Sequence, residues 1–445
     1  MPPIPLGLLA YRRQANFQPE VELVNLFLEE DKSGASPDKW ARILRPGLSS
    51  FSTHGPGIVR GLYVQQNFLA GSIFKVVGEY LYRGDTAIGS VPGTDRVAWA
   101  TGVDRLFVLG NSTIYATDGA TTTIVSLPDD AAGYPVDIDS LNSYVFISCS
   151  DGSIYWIVPG ETTVDPLNFV TAESAPDGLV AGRRLESEIF FFGQNSTEPW
   201  QITGDADAPI QKAIGRQYER GARDRDSVRR FDNSLLWVGE NNNVYRAGAQ
   251  PEVVADEGVS ERIRKATGET SAIVFNVDRH EFYALLIPGQ GTFLLDASTR
   301  QWCRWKSAGM KEWEPHVAAS SADDVYLGSS SANKVWTLAP DSAEDDGVAI
   351  EWRVTGNLPM LGRPQRNDSM AIGVGCEADC LVRVRWHDAR DSFPDYYEEL
   401  EARAPADMVN LYRMGSIEPP FRTYEVSGND GVRVRISGAA TEAWQ

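Results

Sequence analysis

Residues 106–115 read Leu106-Phe107-Val108-Leu109-Gly110-Asn111-Ser112-Thr113-Ile114-Tyr115. A short apolar run rich in β-branched and aromatic residues meets a Gly/Asn/Ser break and resumes as a second apolar run. That is the signature of two strands joined by a tight turn. The unit recurs. Tyr144-Val145-Phe146-Ile147 precedes Asp151-Gly152-Ser153 and Ile154-Tyr155-Trp156. Ile189-Phe190-Phe191-Phe192 precedes Gly193-Gln194-Asn195 and Pro199-Trp200. Leu235-Leu236-Trp237-Val238, Phe282-Tyr283-Ala284-Leu285 and Val325-Tyr326-Leu327 open three further copies, and a fainter one begins at Phe68-Leu69-Ala70.

The copies start near residues 68, 106, 144, 189, 235, 282 and 325, a spacing of about 38 to 47 residues. This is the period of a four-stranded propeller blade. A single twisted sheet of that size cannot cover its own apolar faces, so blades stack radially and cover one another. The expected fold is therefore all-β, a propeller of six or seven blades. A large β-sandwich is the alternative.

The ends of the chain have a different texture. Residues 1–45 lack the repeat, contain polar breaks such as Asp31-Lys32-Ser33-Gly34, and read as an N-terminal arm or edge strand. Residues 46–340 form the propeller. The acidic stretch Asp341–Gly347 reads as a linker. Residues 348–445 read as a separate antiparallel domain resembling a sandwich, because 381–386 (LVRVRW) and 432–436 (VRVRI) alternate apolar residues with arginine. One helix signal stands out, Ser260-Glu261-Arg262-Ile263, with Ser260 as the expected N-cap. Residues 216–230 mix both charge signs and read as a solvated or interface segment.

The chain has 445 residues, with 61 acidic against 41 basic, a net charge of −20. That charge opposes binding to DNA phosphates and to anionic membranes. Four cysteines make no disulfide framework, which fits a reducing cytoplasm. The start, MPPIPLGLLAYRR, is broken by Pro5 and places its arginines after the apolar residues, unlike a signal peptide. No run approaches the ~20 apolar residues of a membrane helix, so no membrane insertion is expected.

Motifs for catalysis fail in turn. His280-Glu281 would open a zinc-protease His-Glu-x-x-His pattern, but Ala284 stands where the second histidine belongs. Cys376 and Cys380 with His387 make only part of a zinc site. Ser150-Asp151-Gly152-Ser153 is similar to the Asp-box turns of sialidases, yet Asp-Gly turns occur in any hairpin protein. No residue is assigned a catalytic, cofactor-binding or metal-binding role, no cofactor is expected, and the chain is read as a non-enzyme.

Residues 165–205 carry a resemblance, through Phe169, Ala172-Glu173-Ser174, Pro176-Asp177-Gly178, Gly193, Glu198, Trp200 and Thr203-Gly204. A second block is Ser260-Glu261-x-Ile263, His280-x-x-Tyr283, Pro288, Leu295-Asp296 and Trp302, with Arg279 where glycine is usual. A third is Arg45-Pro46-Gly47-Leu48, Gly57-x-x-Arg60-Gly61 and Leu81-Tyr82-Arg83-Gly84. Tyr412-Arg413-Met414-Gly415 and Val432-Arg433-Val434-Arg435 fit more loosely. The ordered set resembles the packaged-DNA stabilisation proteins of short-tailed bacteriophages, also called tail hub or nozzle proteins.

The resemblance implies a structural subunit of the virion tail, assembled in the host cytoplasm. It implies a homo-oligomer, a hexameric ring below the portal and its adaptor ring. That ring would continue the DNA channel, retain packaged DNA, take part in its ejection, and carry tail spikes or fibres and the plug or needle. DNA would pass through without specific binding. Two other readings are a tail-associated propeller enzyme acting on host polysaccharide and a monomeric receptor-binding adhesin.

Overall fold

The computed structural model describes residues 3–4, 6–7, 21–32, 38–172, 177–322, 324–359, 365–389 and 391–444. Most of the MPPIPLGLLAYRR start, the Ser33-Gly34 break, and Glu173, Ser174 and Pro176 lie outside the described residues.

Among the described residues the sheets form seven blades, each of four antiparallel strands, in sequential order in all but the seventh. Blade 1 runs from Val59–Tyr63 to Thr86–Ser90, and blade 2 from Ala98–Thr101 to Thr122–Val125. Blade 3 spans Pro135–Leu141 to Phe169–Thr171, and blade 4 spans Leu179–Leu185 to Ile210–Lys212. Blade 5 spans Arg229–Phe231 to Glu252–Val253, and blade 6 spans Ser271–Val277 to Trp302–Trp305. Blade 7 takes three strands from Pro315–Ala339 and its fourth from Gly47–Thr53, which pairs antiparallel with Lys334–Ala339. This strand closes the circle by joining the start of the propeller to its end.

The apolar runs are the second strands of the blades, and both of their faces are covered. Alternation explains how. Phe191 packs in the cluster shared by blades 3 and 4, while Phe190 and Phe192 pack in the cluster shared by blades 4 and 5. Leu106 and Val108 face blade 1, and Phe107 and Leu109 face blade 3. Each such side chain contributes roughly 1.5–3 kcal/mol on burial. Hairpin turns need left-handed backbone, and small polar residues supply it. Asn111-Ser112, Asn142-Ser143 and Asp232-Asn233 hold φ between 48° and 67°. At the hairpin where Arg279 replaces glycine, the left-handed residue is Asp278, φ 52°.

Several local expectations shift. Phe68-Leu69-Ala70 is not a strand; Leu69–Gly71 is a 3-10 turn, and blade 1 resumes at Phe74–Val77. The helix is Glu257–Arg264, capped by Asp256, whose Oδ1 accepts from the Val259 amide at 2.7 Å. Ser260 lies inside it and donates to Asn243 Oδ1 instead. A carboxylate four residues earlier outcompeted the hydroxyl because it sits where the first free amides point.

Beyond the propeller, two sheets face each other over one core. One holds Gln365–Cys376, Ala406–Ile417 and Val434–Trp444; the other holds Trp352–Pro359, Cys380–Asp388, Glu398–Ala402 and Phe421–Gly428. The Arg-alternating stretch behaves as read: Val382 and Val384 are buried, while Arg385 reaches out to bond Glu425 through two contacts of 2.8 and 3.0 Å. The N-terminal region is woven into these sheets. Leu26–Glu30 pairs with Trp40–Leu44, which pairs with Val434–Trp444. Leu23–Val24 lies between Trp302–Trp305 of blade 6 and Trp352–Pro359, so blade 6 runs on into the second sheet. The core is shared accordingly, with Phe275, Trp305 and Trp336 of the propeller beside Trp352, Val382 and Ile436.

The acidic stretch is structured too. Glu344–Asp345 pairs with Val348–Ala349 and runs parallel to the closing strand at Leu48.

Candidate functional site: the propeller axis and the junction

The first strands of the blades line the axis. A cavity of about 370 Å³ there is lined by residues from all seven blades, among them Tyr63, Arg96, Asp139, Arg183, Arg229, Val274 and Ala318. A second, of about 430 Å³, is lined by the loops where those strands begin and shares Arg96 and Asp226 with the first. Between them lies the Arg225–Ser227 turn. Its sequence neighbourhood, 216–230, reads as a solvated or interface segment; Arg216, Gln217, Glu219 and Arg220 are exposed, while Arg225–Ser227 packs at the axis. Burial of Asp224, Arg225, Asp226 and Arg229 is offset because each of these four is met by an opposite charge or a backbone group.

Arg225 Nη2 donates to the Arg96 carbonyl at 2.6 Å and to Asp226 Oδ2 at 2.9 Å, and its Nη1 reaches the Val136 carbonyl at 3.3 Å. Arg229 Nε donates to the Ala272 carbonyl at 3.0 Å. Asp224 Oδ2 accepts from the Thr270 amide and hydroxyl at 2.9 and 2.6 Å. Tyr283 donates to the Ser227 carbonyl at 2.7 Å. The segment is thus tied to blades 2, 3 and 6. Burial raises the Asp226 carboxyl, but Arg225, Arg96 and Arg229 outweigh it and hold it far below the usual carboxylate range. Burial raises the Asp137 carboxyl against the pull of Arg183, with which it forms an ion pair. His316, at the start of blade 7, gives its Nε2 hydrogen to the Val59 carbonyl at 2.6 Å, and burial pushes it down to about 4.

The second cluster is the junction. Arg45 is fully buried and makes two contacts with Asp345, at 2.8 and 2.5 Å. Its Nε donates to Asn25 Oδ1 at 3.0 Å, and its plane lies 5.8 Å from the rings of both Trp305 and Trp313. Arg433 Nη1 donates back to the Arg45 carbonyl at 2.8 Å. The Arg45 side chain therefore binds the N-terminal strands, blade 6 and the acidic stretch, and its carbonyl takes the contact from the C-terminal region.

The other motifs weighed from sequence are scattered. His280 Nδ1 lies 2.8 Å from Asp296 Oδ2, and Glu281 accepts from the Asp232 amide at 3.0 Å. Cys376 and Cys380 are buried as free thiols, and His387 Nδ1 is occupied by the Asp388 carbonyl at 2.8 Å. Asp151 accepts from the Ser153 amide and hydroxyl at 3.1 and 3.0 Å, closing its own turn.

Several of the residues that carried the resemblance brace the scaffold. Trp200 Nε1 donates to buried Glu198 at 3.1 Å. Trp302 Nε1 donates to the Val254 carbonyl at 2.8 Å. Asp177 accepts from the Asn195 amide at 2.6 Å. Arg60 donates to the Asp95 and Gly78 carbonyls at 2.7 and 2.9 Å, and Arg83 to Ser72 Oγ and the Leu69 carbonyl, both at 3.0 Å. Sequence reasoning did not single out Arg96, Asp137 or Asp226; only Asp226 lies in a stretch with any signal, the charge-rich 216–230.

Fold and site together define an all-β propeller protein whose axis is filled by its own side chains. A family model described as "Bacteriophage P22 Gp10, beta-propeller" matches residues 3–343. The chain belongs to that family. It is 24% identical over 299 residues to the "Tail hub protein gp10" of Salmonella phage P22, an alignment covering 61% of this chain and 60% of that protein. Among solved structures, YCF48 from Cyanidioschyzon merolae superposes with a TM-score of 0.44 at 13% identity, covering 66% of this chain and 99% of the other. The computationally designed Ika8 protein gives 0.42 at 13% identity, covering 76% and 96%.

Proposed function

We propose that this chain is a structural tail hub subunit of a short-tailed bacteriophage. Copies form a ring, six by the family resemblance, below the portal and its adaptor. The ring continues the DNA channel, retains packaged DNA, and carries spikes or fibres and the plug or needle. It is assembled in the host cytoplasm and works without catalysis. The observation that carries this reading is the family match, joined by the finding that Trp200 and Trp302, two of the residues bearing the resemblance, are tied into the scaffold.

The filled axis adds a constraint. Cavities of about 370 and 430 Å³ are the size of small-ligand pockets, and the Arg225–Ser227 turn stands between them. A duplex does not thread this propeller, so the bore of the hub lies between copies. A chain of net charge −20 lines such a bore without gripping phosphates.

The test is a phage deleted for this protein. Particles that package DNA and then leak it support the reading. Particles that keep their DNA and fail only at host attachment favour the adhesin instead.

A further inference from the structure

The cavity that all seven blades line carries the wrong charge for its protein. Arg96, Arg183, Arg229 and Arg230 line it against Asp139 and Asp226, a formal excess of two positive charges in a chain of net charge −20. The two aspartates are already engaged. Asp226 accepts from Arg225 and Arg229, and Asp139 accepts from the Ser140 and Arg184 amides at 2.7 and 2.8 Å.

One donor is left over. Arg96 lines both axial compartments, and its Nη1 is buried with no acceptor; its Nη2 has only a long contact, 3.4 Å, to the Ala272 carbonyl. A buried guanidinium nitrogen without a partner costs the desolvation of a charged group, so such a group ordinarily has an ion or ordered water beside it. Burial pushes Arg96 down to about 9 against the pull of Asp226, and the like charges of Arg229, Arg225 and Arg183 add to it. Arg230, by contrast, is exposed on the cavity wall.

We propose that this axial cavity is a binding site for a small doubly charged oxyanion of the phosphate or sulfate class, held by Arg96, Arg183, Arg229 and Arg230. The volume suits such an ion with several waters. Planar guanidinium forks suit its oxygens. These arginines come from blades 2, 4 and 5, so the bound ion braces blades that are not all neighbours in sequence. It is a structural ligand, and the inference stands whether or not the chain is a tail hub.

The test uses the full chain with inorganic phosphate and sulfate as probes. Calorimetric titration at fixed ionic strength reads the affinity, and thermal melting in phosphate against chloride reads the linkage. The expected result is saturable binding of one ion per chain and a melting temperature raised by several degrees in phosphate over chloride. Arg96→Gln and Arg230→Ala should each weaken binding at least tenfold. Arg230 is exposed, so its variant remains informative if Arg96→Gln fails to fold. Arg264→Ala, on the exposed face of the helix, should bind as the parent does. No saturable binding at ten millimolar phosphate, or binding that Arg230→Ala leaves unchanged, overturns the proposal. So does a high-resolution map in phosphate that shows only water beside Arg96.

Discussion

Arg45 and Asp345 lie 300 residues apart and form a two-contact ion pair in which the arginine is fully buried. The pair sits where the propeller closes, between the rings of Trp305 and Trp313 and the parallel contact of Asp345 with Leu48. It holds the two ends of the propeller and the C-terminal sheets in one register.

Removing one partner should therefore be severe. Asp345→Asn or Arg45→Met strands a buried group, and either should cost about 3–5 kcal/mol of unfolding free energy. The double variant Arg45→Met/Asp345→Leu should cost less than the sum of the single changes, since no lone charge remains. Urea denaturation of the four proteins measures this. Strict additivity would show that the pair is not coupled.

Gly47 opens the closing strand, and a methyl group there would lie 2.1 Å from the Glu344 carbonyl oxygen and 2.8 Å from Ser342 Oγ. The obstacle is backbone and cannot swing aside. Gly47→Ala should destabilise by roughly 1–3 kcal/mol and loosen blade 7 first. Hydrogen exchange should report this as faster exchange in Lys334–Ala339 than in blade 3. Uniform change across the blades would contradict it.

His316 supplies a pH dependence. Burial, with a further push from Arg96, outweighs the Val59 hydrogen bond and the pull of Asp226 and takes the imidazole down to about 4 from an ordinary 6.5. Between those values the unfolded chain binds the extra proton and the folded chain does not, so stability falls as the pH drops. The contribution is on the order of 3 kcal/mol across that window. His316→Gln keeps a donor for the Val59 carbonyl and should flatten the stability curve between pH 6.5 and 4. Parallel curves for parent and variant would sink the assignment.

Truncation tests the shared core. A chain ending at Gly347 loses the sheets that cover Phe275, Trp305 and Trp336. From its sequence pattern the region after the acidic stretch reads as a self-contained domain whose removal spares the propeller. With the core continuous, the shortened chain should instead expose apolar surface, bind hydrophobic dye and aggregate. A monomeric product with a sharp melting transition would restore the separable reading.

The blades were legible in the sequence because their information is local. A run such as Ile189-Phe190-Phe191-Phe192 reports that both faces of a strand are covered, and the turn residues beside it report the hairpin. The blade count stayed at six or seven because the last strand of blade 7, Gly47–Thr53, lies about 290 residues from its neighbour and shows no period. The same reason hid the placing of Leu23–Val24 and Trp40–Leu44 among the C-terminal sheets. Charged residues mislead in the same way. Within 216–230, whose ends are exposed, the sequence does not tell that residues 224–229 pack at the axis, because sequence reveals a charge but not its counter-charge. Only the tertiary structure brings Arg96, Asp137, Arg183 and Asp226 to one axis, where pairing across blades makes their burial possible. Turn chemistry, written within about ten residues and repeated every 38 to 47, determined the propeller; its closure, its junction and its charged axis rest on contacts that only the closed circle creates.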